Sequence, residues 1–63
     1  MGDLNLKANL DNVDDFYAAL LTSYDGLDEN EIHLQNAKLI LILANHIGDN
    51  NVLEQALTAA RNN

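Results

Sequence analysis

The sequence predicts an all-α protein: a three-helix antiparallel arrangement, with helices at about 13–24, 29–47 and 52–61, behind an extended N-terminal arm. Three observations point there. Apolar residues recur at helical spacing in "VDDFYAALLTSY" (13–24), "ENEIHLQNAKLILILANHI" (29–47) and "VLEQALTAAR" (52–61). Asn or Asp stands before each stretch, and Gly26 and Gly48 follow the first two. There is no Pro to interrupt any of them. The 63 residues suffice for one domain at most, so we take 1–12 as the arm and 13–63 as a single helical domain.

The arm contains "DLNLKANL" (3–10), in which Leu4, Leu6, Ala8 and Leu10 alternate with polar residues, a strand periodicity. No later stretch offers a second strand to pair its backbone. The arm is therefore expected to fray, to lie extended over the helices, or to pair with another chain, and a loosely packed tail is the plain expectation for a terminus.

The first helix starts at Asn12, whose side chain can cap it, with Asp14 and Asp15 facing the positive dipole end. Val13, Phe16, Tyr17, Leu20, Leu21 and Tyr24 form its apolar stripe, and Gly26 supplies the stop. The second helix opens on Asp28 and Glu31, the spacing of a capping box, and stops at Gly48. The third is expected to start at Asn51 with Glu54 in a box-like pair. Val52, Leu53, Ala56, Leu57 and Ala60 would face inward, and Arg61 lies in the last turn. Most acidic residues thus fall at helix starts, where each carboxylate contributes about 0.3–1 kcal/mol.

Helix 2 carries more apolar surface than a small fold can cover. At about 100° per residue, Leu43, Ile47, Ile40, Ala44, Ala37, Leu41 and Leu34 spread over roughly 200° from Ile32, with Leu39 just on the other side of Ile32. A surface helix needs a stripe of about 100° or slightly more. A strand reading of "KLILILA" competes, but helix start and stop signals bracket the segment. Helices 1 and 3 can cover one flank, leaving a surplus for a second copy or another protein. Ile40, Leu41, Leu43 and Ile47 are the expected buried seam, and Leu34 and Ile42 the expected surplus. Asn36 falls inside the arc, either half-exposed or as a buried polar residue that fixes an interface register.

Size points the same way. A chain this short buries only about 60% of its unfolded surface, so small folds usually need a staple. With no Cys, disulfides and Cys-type zinc are excluded, and association remains. The net charge of −7, with only Lys7, Lys38 and Arg61 as cations, argues against nucleic acid and anionic membranes as partners. No charged segment followed by an apolar block opens the chain, and Leu39–Ala44 is too short for the about 20 residues of a membrane span. A cytoplasmic location is expected.

No catalytic set emerges. His33 and His46 lie about 20 Å apart along one helix and point about 140° apart. Glu29 with His33, or His46 with Asp49 and Asn45, has local spacing compatible with a metal or small ligand, so a small metal- or ligand-binding protein is the alternative reading. An exposed ion pair and a helix-end imidazolium are the plainer accounts. "DGLDENE" (25–31) has Gly in the wrong place for an EF-hand, and helix 3 offers Arg61 alone to a DNA groove. No cofactor is implied. An acidic decoy for nucleic-acid-binding proteins rests on net charge alone and ranks last.

The segments "DDFYAALLTSYDGL" (14–27), "LQNAKLILILANHIGD" (34–49) and "VLEQALTAAR" (52–61) resemble a family of short acidic bacterial proteins of unknown function. The resemblance runs from residue 14 almost to the end. It implies a bacterial, all-helical protein and company with oxidative catabolic enzymes, and it assigns no activity or site residue. Together these readings predict a non-enzymatic helical interaction module. It would act as a homo-oligomer or as a small accessory subunit of a larger, oxidative catabolic enzyme.

Overall fold

The structure, a computed structural model, describes residues 2–62. It holds α1 (Val13–Thr22), α2 (Glu29–Ile47) and α3 (Asn50–Asn62), and no strand among the described residues. The fold is all-α.

The expected caps of the first two helices are in place. Asn12 Oδ1 accepts from the Asp15 N–H at 3.0 Å. Asp28 Oδ1 accepts from the Glu31 N–H at 2.8 Å while Glu31 Oε1 accepts from the Asp28 N–H at 3.0 Å, a complete capping box. Gly48, at φ 68°, occupies the left-handed region and donates to Ala44 O at 2.9 Å, ending α2 where expected.

Three boundaries differ from expectation. Helix 1 stops at Thr22 rather than Tyr24. Beyond it the N–H groups of Tyr24 and Asp25 reach back three residues, to Leu21 O and Thr22 O. The Ser23 hydroxyl takes Leu20 O at 2.6 Å, and Gln35 Nε2 donates to both Ser23 O and Ser23 Oγ at 3.0 Å. These bonds tighten the chain before Gly26, at φ 78°, turns it toward α2. Helix 3 starts at Asn50 rather than Val52 and runs to Asn62. Its cap is Asp49, not Asn51: Asp49 Oδ1 accepts from the N–H groups of Asn51 at 2.9 Å and Val52 at 3.3 Å. The reversal at Gly48 delivers the next side chain directly onto the first free N–H groups of α3, so the shorter connection wins.

The arm is extended, and its first residues are fastened to α3. The Gly2 N–H donates to Asp49 Oδ2 at 3.1 Å, Asn51 Nδ2 donates to Gly2 O at 3.2 Å, and the Leu4 N–H donates to Gln55 Oε1 at 3.1 Å. An Asx turn follows, with the Lys7 N–H on Asn5 Oδ1 at 2.9 Å. Leu6 within it and Leu10 beyond it are exposed.

Packing is where the chain departs most from a globular domain. No described residue is buried. Only α2 and α3 approach one another as helices. Helix α1 stands off, with Val13, Phe16, Tyr17 and Leu21 exposed, so the expected cover of α2 by helix 1 is not there. Its link to α2 is the turn, where the Tyr24 hydroxyl donates to Asn36 Oδ1 at 2.7 Å. The radius of gyration is 13.4 Å and the extents are 40 × 24 × 23 Å. A compact chain of this length would have a radius of about 11 Å. Because the Tyr24–Asn36 bond is half-buried and, with the Gln35–Ser23 bonds, joins the turn to α2, Tyr24→Phe is expected to cost about 1 kcal/mol. A thermal melt at fixed protein concentration would read this as a loss of roughly 4–8 °C.

Candidate interaction surface

Helix α2 divides into two zones. Towards its start, Ile32, Gln35, Asn36 and Leu39 are half-covered. They recur at helical spacing on one face, the side from which Gln35 and Asn36 bond Ser23 and Tyr24. Past that point the backbone meets only α3, and Ala44 alone is half-covered. Between them, Ile40, Leu41, Ile42 and Leu43 point to about 80°, 180°, 280° and 20° on the helix wheel. All four are exposed, Leu41 at 70% and Ile42 at 65%. A helical segment that is apolar all round is the kind found fully enclosed by protein.

The expected seam of Ile40, Leu41, Leu43 and Ile47 is therefore not buried within its own chain, and the expected surplus of Leu34 and Ile42 is exposed beside it. Asn36 is half-buried, and its carbonyl oxygen is bonded to Tyr24. Its first role is thus in the joint between the turn and α2.

Sequence reasoning missed part of the surface. Ile40 and Ala44 of α2 and Leu53, Ala56, Leu57 and Ala60 of α3 line an open groove of about 350 Å³. Leu57, assigned to the inner face, is 71% exposed. The signal was present: Ala56 and Ala60, with Ala44 opposite, are too small to fill the space between two helices. The α1 stripe was likewise assigned to a core that the chain does not form.

Most of the acidic residues lie away from the middle of α2. Asp14, Asp15, Asp28, Glu29 and Glu31 lie in or just before the first turns of α1 and α2, and Asp49 caps α3. Residues 39–45, "LILILAN", carry no ionisable group. Glu29 and His33 sit one turn apart on the exposed start of α2, and Asp49, beyond the far end where His46 lies, spends both carboxylate oxygens on N–H groups of Gly2, Asn51 and Val52. Among the described residues no three His, Cys, Asp or Glu side chains are grouped so as to hold a metal ion. No helix among them is long and apolar enough to cross a membrane.

Residues 4–62 match the family described as "Protein of unknown function (DUF2783)". The chain belongs to the DUF2783 family. That membership bears out the resemblance and extends it over the arm from Leu4 onward. No curated protein and no solved structure shows a significant match.

Proposed function

We propose that this DUF2783 chain is a non-enzymatic helical interaction module whose fold is completed by another polypeptide. One observation carries the reading. The chain exposes 5684 Å². A compact monomer of 6.9 kDa would expose about 4,000 Å². The difference, about 1,700 Å² per chain, exceeds what one partner contributes to a standard interface, about 800 Å². The extended arm accounts for part of the excess, and half of it would still make an interface of standard size. Among the exposed groups are Ile40, Leu41, Ile42, Leu43, Ile47 and Leu57, and a soluble monomer rarely leaves so many apolar side chains wet together.

A second copy and a larger enzyme served by a small accessory subunit, an oxidative catabolic one as the bacterial resemblance implies, both fit this reading. A cytoplasmic setting belongs to it, since a Cys-free chain relies on association rather than disulfides for stability.

Dilution tests the reading. Helical circular dichroism of the purified chain, followed with a dye that lights up on apolar surface, is expected to change with concentration or to show strong dye binding. A chain that is a monomer at every concentration, fully helical, sharply melting and dark to the dye would overturn it.

A further inference from the structure

We infer that the occupant of this surface is a second copy of the same chain, crossing α2 antiparallel to α2 about a two-fold axis near Leu41. The inference rests on the reading above and names its partner.

Area is the first support. If each copy covers half of its excess, about 850 Å², the pair buries about 1,700 Å² in total, the area of a standard stable interface. Self-complementarity is the second. An isologous interface places each patch against its own image, so one chain must supply both projections and recesses. This chain does: Leu41 projects from α2, and one turn away Ala44, with Ala56 and Ala60 of α3, leaves the apolar groove open.

Charge selects the direction. Two chains of net charge −7 repel unless their acids are kept apart. A parallel crossing would bring Asp28, Glu29 and Glu31 of both copies together at one end, and like charges at that spacing destabilise. In an antiparallel crossing centred on Leu41, a residue i faces the partner's residue 82 − i. Within α2 that register runs from 35 to 47, and the acidic helix starts fall at opposite ends, with the two Glu31 residues roughly 30 Å apart along the axis. The centre is the charge-free stretch 39–45. A partner of opposite charge would be recognised at the acidic helix starts, whereas the uncovered face is neutral and apolar, matching itself.

Sedimentation equilibrium combined with spin-label distances tests the inference. The chain has no native Cys, so Glu29→Cys and Lys38→Cys each place one label at an exposed polar position. The expected result is a species of twice 6.9 kDa. Along the axis, label sites at position 29 should lie roughly 36 Å apart and those at position 38 roughly 9 Å apart. Short distances at both positions, or a trimer or larger species, would overturn the inference. So would a monomer that binds the apolar dye and gains helix only with a protein from its host, an outcome that leaves the module reading standing. A sharply melting, dye-dark monomer would remove both.

Discussion

Leu41→Glu is expected to convert the dimer to monomers, weakening association by more than about 100-fold. In the isolated chain Leu41 is 70% exposed and touches little of its own fold. A substitution at such a site normally changes stability by no more than about 0.5 kcal/mol. Any larger effect must come from another chain. At the two-fold axis the penalty is doubled, because each copy brings its new carboxylate to the same place. Burying one unpaired charge costs on the order of 3 kcal/mol or more, which is over two decades in dissociation constant. Leu41→Gln should weaken association less, because it removes apolar area without adding charge. The decisive arm mixes Leu41→Glu with Leu41→Lys chains. Each alone should sediment as a monomer, and the mixture should recover a heterodimer through the ion pair across the axis. If Leu41→Glu leaves the mass and the melt unchanged, helix α2 is not at the interface. Leu10→Glu, in the exposed part of the arm, is the matched control and should change neither.

The limits of the sequence reading follow the range of the forces involved. Asn12, the Asp28–Glu31 box and Gly48 were legible because a cap depends on residues within one turn of it. The all-α class was legible for the same reason: periodicity is local. The exit from helix 1 was not, since Gln35, twelve residues further on, bonds Ser23 and helps tighten the chain before Gly26 can act. The start of helix 3 was misread because Asp49 and Asn51 are both good caps. The choice between them depends on the left-handed turn at Gly48, which a pattern of residue types does not encode. Of the candidate surface, the α2 arc is wider than its own chain covers, and Ile40, Leu41, Ile42 and Leu43 are all exposed. Periodicity says that Phe16, Tyr17, Leu21 and Leu57 need cover. It does not say whether the cover comes from the same chain. Asn36 shows the same limit from the other side, since a polar residue in an apolar arc has a partner here, the Tyr24 hydroxyl, that only the folded turn brings near.

Asp49→Ala is expected to lower the melting temperature by roughly 8–16 °C, from a loss of about 2 kcal/mol at fixed protein concentration. One carboxylate serves two elements. Through Oδ1 it satisfies the N–H groups of Asn51 and Val52, which have no acceptor inside α3, and its charge faces the positive end of that helix. Through Oδ2 it holds the Gly2 N–H at 3.1 Å. Losing a cap alone costs typically about 1 kcal/mol and at most about 2. The arm adds a smaller amount, because that bond is exposed to water. Asp49→Asn separates the contributions: its side-chain oxygen still accepts from Asn51, while the charge and one of the two acceptor oxygens are lost, so it should fall between the parent and Asp49→Ala. Amide hydrogen exchange locates the damage. Faster exchange is expected at Asn51, Val52 and Leu4, the last because the Leu4 N–H bonds Gln55 only while the arm lies along α3. The N–H groups of Asp15 and Glu31, capped by other residues, should be unaffected relative to the rest of their helices. If exchange rises evenly through all three helices instead, Asp49 acts on the whole assembly rather than on this junction. The arm is then part of what the second chain packs against, since only a contact shared between copies would spread the loss of a local cap so far.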